Sequence, residues 1–256
     1  MALTEPGGGT DVSGMQCNAV RVSGGDYVLN GEKSWITNAP VGDYFLLFAR
    51  TGEGRRDISL FLVGGEMAGF RRGSAEEKMG MRSSPTGSLI LEDCVVSAEC
   101  LVGDVNGAFG LLLEHLSVER LGLAAMSCGI ALECVHIMSG YASERVAFGK
   151  SLDRFGQIQR YLARSGSRLC AARNFLYQVA GYERDIKGFG YYCDAVKLFA
   201  SEVGEEVSRA GIQILGANGY SRDYGVERGH RDSILLSIGG GTSEALEKNM
   251  SRLRHL

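Results

Sequence analysis

The residue whose surroundings best suit acid–base chemistry is Glu119. It lies with Leu112, Leu116 and Leu123 at spacings of three and four residues, which place all four on one face of a strongly apolar helix. Burial of this carboxylate without a full set of partners would raise its pKa and make it a usable general base near neutral pH. The competing interpretation is a structural ion pair with a nearby arginine or lysine.

A glycine-rich segment and a short aromatic motif could bind a phosphorylated ring. Between Thr4 and Thr10, the run Gly7–Gly9 lets backbone N–H groups approach a ligand, and the flanking hydroxyls can bond to phosphate or to a ring. Trp35 offers an aromatic face and Thr37 a hydroxyl at the end of a predicted strand. A simple turn and a half-buried core tryptophan also explain these residues.

Two further features suit an anionic ligand. Arg145 and Phe148 place a guanidinium and an aromatic ring one helical turn apart, which suits a diphosphate beside a flat ring. The run Gly239–Gly241 leads into Thr242 and a helix N-terminus that could face an anion, while Glu244 could accept from a ribose hydroxyl. An exposed helix end and ordinary N-capping are the alternatives.

The first part of the chain, residues 1–104, has the pattern of β-strands. Short apolar runs are separated by Gly24–Gly25 and by Asn30–Gly31, and these pairs predict two hairpin turns because they tolerate a positive φ. Further strands are predicted over residues 44–49, 58–63 and 87–96.

The second part, residues 105–256, has apolar residues at helical spacing. One helix should end at Gly216, and the last should begin at Thr242 or Ser243, because glycine favours a helix C-terminus and hydroxyl residues favour an N-terminus. The predicted helical stretches cover residues 109–138, 158–182 and 194–215. The change of period between the two parts is the predicted domain boundary.

The composition limits the classes of partner. With 45% hydrophobic residues, the 256-residue chain can fill one large core or two ordinary ones, and its net charge of −3 gives no basic surface for nucleic acid. The seven cysteines form no CxxC pair and no metal-like spacing with the histidines, so we expect reduced thiols and no metal. Glu114, His115, Glu119 and Arg120 interrupt the richest apolar stretch, so no span of about 18 residues and no membrane association are expected.

Several different motifs follow one another along the chain in an order that is typical of one protein family. They are TEPGGGTD, GEKSWITN, GMRSS, an ER pair in the long helix, ERVAFGKSL, GIQILGANGY, RD and IGGGTSE. In this order they resemble the successive signatures of the acyl-CoA dehydrogenase family over nearly the whole chain. The resemblance implies an α+β fold, with a middle β-barrel domain over 1–104 and a C-terminal α-helical bundle over 105–256. The N-terminal helical domain of the family is missing from this sequence.

The resemblance also implies FAD and a homo-oligomer, a dimer or tetramer. The residues that match cofactor-binding positions are Leu3, Thr4, Gly9, Thr10, Trp35, Ile36, Thr37, Leu152, Thr242 and Glu244. Arg145, Phe148, Gln213, Gly216 and Ala217 resemble residues that a neighbouring subunit offers to the same FAD. Arg120 and Gly239 are expected to bind the substrate.

The position of the catalytic base departs from most of the family. Most members have a glutamate where this chain has Gly240, whereas isovaleryl-CoA and long-chain members carry the base on the long helix, where Glu119-Arg120 stands here. Together with MALTEP, GMRSS and LEDC, this position makes the chain resemble isovaleryl-CoA dehydrogenases most, although the same Glu and Gly pairing occurs in other members. The implied reaction has Glu119 remove the α-proton of an acyl-CoA thioester while the Gly240 N–H and a flavin ribityl hydroxyl hold the thioester oxygen.

The resemblance implies transfer of the electrons to an electron-transfer flavoprotein. It places the protein in the mitochondrial matrix of a eukaryote or the cytoplasm of a bacterium. Two alternatives stay open at this point. One is another flavin-dependent enzyme of the same fold, an oxidase or monooxygenase, and the other is a truncated, non-catalytic module that oligomerises or binds a partner.

Overall fold

Contacts divide the chain into two units. The computed structural model describes residues 1–183 and 188–252. The first unit comprises Met1–Lys78 and Arg82–Glu114, and the second comprises Met79–Met81 and His115–Leu256. The boundary after residue 104 stays a prediction.

The first unit is built on a seven-stranded sheet. Its strands are β1 (Asn18–Arg21), β2 (Tyr27–Thr37), β3 (Tyr44–Arg50), β4 (Ile58–Gly64), β5 (Phe70–Ala75), β6 (Thr86–Val96) and β7 (Leu101–Val102). The spatial order is β5-β6-β2-β1-β3-β4-β7, and neighbours are antiparallel except β1 and β3, which pair in parallel at Asn18 and Arg50. The short strand β5 was not predicted.

Alternating side chains give this sheet a buried face. In β3, Phe45 and Leu47 are buried while Tyr44 and Leu46 are exposed, as the two-residue period of a strand requires. Complete burial of a leucine such as Leu47 stabilises the fold by about 2 kcal/mol. The sheet therefore forms a rigid support for residues on its edges and exposed face.

The predicted turn at Asn30–Gly31 is wrong. Both residues lie inside β2, where the register with β6 shifts between Leu29 and Gly31. Gly31 has a φ of 140°, and a Cβ on it would lie 2.7 Å from the Cα of Cys17. The Asn30 side chain exchanges two hydrogen bonds with Asp93 on β6. Glycine at a positive φ occurs in β-bulges as well as in turns, so the residue types alone did not distinguish the two.

Helices form most of the second unit. They are α1 (Ala108–Glu144), which begins before the unit does, α2 (Gly156–Ala180), α3 (Phe189–Leu215), α4 (Ala217–Tyr220), α5 (Val226–Ile238) and α6 (Ser243–Arg252), and a hairpin of β8 (Val146–Ala147) and β9 (Lys150–Ser151) follows α1. The predicted end at Gly216 and the start of the last helix at Ser243 are confirmed. Helix α5 was not predicted.

The expectation that no apolar stretch reaches bilayer length is wrong for α1. This helix is long and apolar enough, by length and composition alone, to cross a membrane. The interrupting charges end at Arg120, and the stretch after it carries a single further acid, Glu133. One side of α1, with Ala124, Cys128 and Ala131, is buried in the helical core against α2 and α3, as in a core helix of this composition. The absence of a membrane partner stays a prediction.

The segment Met79–Met81 packs on α5. Arg231 donates from Nη1 to the Met79 carbonyl at 2.7 Å, and the Met81 N–H donates to the Asp232 carboxylate. A Cβ on Gly80 would lie 2.3 Å from the Arg231 carbonyl oxygen, so only glycine fits there. These contacts give the GMRSS and RD motifs a structural role.

Candidate functional site

The first unit exposes an aromatic ring in a strained backbone conformation. Trp35 is 59% exposed and has a φ of 57°, a left-handed value that is costly for a bulky residue. It lies where the register between β2 and β6 shifts. Strain of this kind collects at ligand sites because the surrounding structure must enforce it. Thr37 is also exposed, whereas the side chain of Ile36 is buried in the core.

A buried ion pair ties the N-terminal segment to β2 beside this ring. Lys33 donates from Nζ to Glu5 Oε1 at 2.8 Å and to the Leu3 carbonyl at 3.1 Å. Glu5 also accepts from the backbone N–H groups of Gln16 and Cys17. Burial acts to raise the pKa of Glu5, but the hydrogen bond from Lys33 and the backbone donors together hold that pKa below its ordinary value.

The residues around the Lys33–Glu5 ion pair fit a ligand that has a flat, polar ring and phosphates. The Ser34 N–H donates to the Thr4 carbonyl at 2.9 Å, and among the described residues the buried Ser34 Oγ has no hydrogen-bond partner. Gly7, Gly9 and Thr10 are exposed, and Gly7 has open space around it. Two predicted groups of residues, Leu3-Thr4 and Trp35 to Thr37, are thus joined through Lys33 and Ser34.

Glu119 is half-buried on α1 in the second unit. Within residues 1–183 and 188–252 its carboxylate accepts no hydrogen bond and forms no ion pair. The ion pair that was the competing interpretation is made instead by the next residue, Arg120, with Asp194 on α3. A half-buried carboxylate left without such a partner is available to take a proton.

Arg120 connects α1 to the glycine run that precedes α6. Its Nε donates to the Gly240 carbonyl at 2.9 Å, and its Nη1 donates to Asp194 Oδ1 at 2.5 Å. Asn249 on α6 donates to the other oxygen of Asp194 at 3.3 Å. Burial raises the pKa of Asp194, and the nearby Arg120 only partly offsets this. Arg120 directs two of its nitrogens to protein partners, and its substrate-binding role stays a prediction.

Lys197 on α3 is completely buried and holds the next carbonyl of the run. Its Nζ donates to the Gly241 carbonyl at 2.7 Å. Burial, assisted by the charge of Arg120, lowers the pKa of Lys197 to about 8. The carboxylates of Asp194 and Glu119 act in the opposite direction, so Glu119 lies close enough to interact electrostatically with Lys197.

Sequence reasoning did not single out Asp194, Lys197 or Asn249. A usable signal was present, because Asp194 and Lys197 are three residues apart on the apolar face of a predicted helix, among Cys193, Val196 and Ala200. Charged residues at such positions are costly unless they make specific bonds.

The conformation and surroundings of Gly240 disfavour a side chain at this position. Its φ is 65°, that of Gly241 is 106°, and a Cβ on Gly240 would lie 2.5 Å from Cδ1 of Leu123. Gly239 donates its N–H to the Leu235 carbonyl at 2.8 Å. The Gly240 N–H has no acceptor in the part of the chain that the structure describes, and it can therefore donate to a ligand.

Thr242 caps helix α6. Its Oγ1 accepts from the Ala245 N–H at 3.3 Å and its carbonyl accepts from Leu246. The carboxylate of Glu244 interacts with the same helix end: its own backbone N–H and then the Thr242 hydroxyl keep its pKa below the ordinary value. N-capping is therefore observed, and the cofactor role of Thr242 and Glu244 stays a prediction.

The remaining predicted residues lie around the β8–β9 hairpin and the end of α3. Leu152 donates its N–H to the Arg145 carbonyl, and Phe148 is 97% exposed. Gln213, Gly216 and Ala217 are exposed. Asn218 in α4 donates to the Tyr141 hydroxyl at 2.9 Å, and Tyr141 lies one turn before the hairpin on α1. No bond among the described residues joins these positions to Glu119 or Gly240. The cofactor role of Leu152 and the role of the other predicted residues toward a neighbouring subunit stay predictions.

Comparison with known proteins gives consistent matches along the chain. The family model of the acyl-CoA dehydrogenase middle domain matches residues 1–94, and that of the C-terminal domain matches residues 107–253. The 2-methylacyl-CoA dehydrogenase of Solanum tuberosum is 38% identical over 246 residues, which are 95% of this chain and 60% of that protein. The isovaleryl-CoA dehydrogenase of Oryza sativa subsp. japonica is 37% identical over 246 residues, with the same shares.

The fold agrees with a solved structure of the same class. The butyryl-CoA dehydrogenase of Megasphaera elsdenii has a TM-score of 0.95 and 36% identity, and the match covers 98% of this chain and 66% of that one. The expected fold class is confirmed. The chain spans about 60% of the length of the curated relatives named above. Members of this family are FAD enzymes, so the cofactor expectation is confirmed at the level of the family.

Both family models, which together cover most of the chain, agree with the sheet of the first unit and the helices of the second. This chain belongs to the acyl-CoA dehydrogenase family.

Proposed function

We propose that this chain binds FAD and dehydrogenates an acyl-CoA thioester between its α and β carbons. The observation that carries the proposal is Glu119, a half-buried carboxylate that forms no ion pair with any described residue. It lies next to Arg120, which bonds to the Gly240 carbonyl of the glycine run. Family membership supports the reaction class. The names of two curated relatives refer to different acyl groups, 2-methylacyl and isovaleryl.

The residues of this chain would have the following roles in the reaction. Glu119 takes the α-proton, because no cation in the described part of the chain is bonded to its carboxylate. The Gly240 N–H donates to the thioester carbonyl oxygen, where negative charge develops as the α-proton leaves. Trp35, Thr37 and Thr4, with the open backbone of Gly7, would hold FAD in the first unit. FAD, when bound, supplies the acceptor for the hydride that leaves the β carbon.

A short branched acyl group, as in isovaleryl-CoA, is the proposed substrate. The support is the resemblance of Glu119-Arg120 on the long helix, together with Gly240 in the glycine run, to the pattern of isovaleryl-CoA dehydrogenases. We further propose an electron-transfer flavoprotein as acceptor and a homo-oligomer as the assembly. The proposed compartment depends on the organism. It is the mitochondrial matrix in a eukaryote, in keeping with the plant relatives, which are named as mitochondrial, or the cytoplasm in a bacterium.

The test is a visible spectrum of the purified chain loaded with FAD, followed by anaerobic addition of isovaleryl-CoA. We expect bound flavin that bleaches. Glu119→Gln should keep the flavin but bleach about 10³-fold more slowly, because the general base is lost. Glu133→Gln, an exposed glutamate on the same helix, is the matched control and should bleach at the wild-type rate.

Each failure points to a different alternative. Unchanged bleaching in Glu119→Gln would reject Glu119 as the base. A wild-type chain that takes up no FAD would favour a non-catalytic module. Rapid reoxidation of the bleached flavin by oxygen would favour an oxidase or monooxygenase.

A further inference from the structure

Two cations, the half-buried Arg120 and the completely buried Lys197, hold consecutive carbonyls of the glycine run. Arg120 binds the Gly240 carbonyl at 2.9 Å and Lys197 binds the Gly241 carbonyl at 2.7 Å. On the other side of Gly240, the Gly239 N–H is bonded to Leu235. Glycines at positive φ have many accessible conformations, so these bonds, rather than local preference, decide where the Gly240 N–H points.

Among residues 1–183 and 188–252, no carboxylate is bonded to Lys197 to offset its burial. Both oxygens of Asp194, one turn away on α3, are taken by Arg120 and Asn249. Within the described chain, the hydrogen bond of Lys197 Nζ goes to the Gly241 carbonyl, and no ion pair involves it. A methionine of similar length would fill this space without the cost of burying a charge. The charge therefore needs a compensating role at the glycine run.

We infer that Lys197 is a positioning residue for the reaction: by holding the Gly241 carbonyl it aims the Gly240 N–H at the thioester oxygen of the substrate. The inference rests on the proposed function. Lys197 itself touches no reacting atom. It lies beside charged groups on three helices: Glu119 and Arg120 on α1, Asp194 and Glu205 on α3, and Glu244 on α6.

The first test separates orientation from binding and from folding. Lys197→Met, loaded with FAD, should bleach about 10²-fold more slowly with isovaleryl-CoA under single-turnover conditions, as expected for a misaligned oxyanion donor. Its flavin content should match wild type. Lys197→Gln keeps a donor near the Gly241 carbonyl and should recover part of the rate. Ser208→Ala, a buried polar residue on the same helix, is the control and should keep the wild-type rate.

The second test is binding without turnover. An enoyl-CoA thioester should bind Lys197→Met about tenfold more weakly than wild type, which corresponds to one neutral hydrogen bond. The matching thioether, which lacks the carbonyl oxygen, should bind both proteins equally. A structural role alone would weaken both ligands together or neither.

The outcomes distinguish this inference from the proposed function. Wild-type rates and wild-type thioester affinity in Lys197→Met would overturn the inference while leaving the proposed function intact. An equal loss for thioester and thioether would also overturn it. A wild-type chain that binds no acyl-CoA would overturn the proposed function, and the inference with it.

Discussion

Lys33 and Lys197 are both completely buried, but they sit in opposite electrostatic settings. In the first unit, Lys33 faces Glu5 at 2.8 Å, and that carboxylate also accepts two backbone N–H groups, so the charges are neutralised in place. In the second unit, Lys197 is bonded to a neutral carbonyl, and burial keeps its pKa low. The first lysine joins the N-terminal segment to the sheet, whereas the second carries its charge next to the candidate site without an ion pair among the described residues.

The largest effect on stability is expected when the Lys33–Glu5 ion pair is broken. Lys33→Met would leave the Glu5 carboxylate buried without its cation and should destabilise the first unit by about 3 kcal/mol. Urea denaturation of the FAD-free chain, followed by the fluorescence of Trp35, the only tryptophan, would measure this. The matched change Lys197→Met should cost much less or stabilise the fold, because Asp194 keeps Arg120. Equal costs for the two variants would contradict the comparison.

A smaller difference in stability is expected between alanine substitutions in the two glycine-rich segments, Gly239–Gly241 and Gly7–Gly9. Gly240→Ala should destabilise the fold by about 2 kcal/mol, because its φ is 65° and the new Cβ would meet Leu123 at 2.5 Å. Gly7→Ala, with open space around it, should change the free energy of unfolding by less than about 0.5 kcal/mol. Thermal unfolding of both variants would measure these changes in stability. A large loss of stability in Gly7→Ala would show that the first segment is also tightly packed.

The smallest effect is the pH dependence that follows from Lys197. Its pKa in the folded chain is about 8, below the ordinary 10.5, so between these values the unfolded chain binds more protons. Stability due to this residue should therefore rise with pH, by about 1 kcal/mol between pH 8 and 9. The measurement is the difference in unfolding free energy between wild type and Lys197→Met across that range. The subtraction removes the contribution of buried cysteines such as Cys17, whose raised pKa acts in the opposite direction.

The sequence by itself determined the order of the elements and several of their ends. Period-two and helical spacing indicated most strands and helices, and the glycine at 216 and the hydroxyl residues before α6 marked helix ends correctly. It also indicated an unusual carboxylate at Glu119, because a charge on an apolar helical stripe is visible without coordinates. The family resemblance followed from the order of the motifs, which the comparisons confirm.

Only the tertiary structure decided how these residues are bonded. Asn30–Gly31 serves a bulge rather than a turn, because the backbone of Cys17 passes within 2.7 Å of the Cβ position on Gly31, and no local pattern encodes that approach. Likewise, Arg120 pairs with Asp194, and Glu119 forms no ion pair with the residues that the structure describes. Lys197 donates to a carbonyl 44 residues further along the chain. Residue types indicate which charges are costly, but the partners of a buried charge are set by long-range packing, which sequence spacing does not contain.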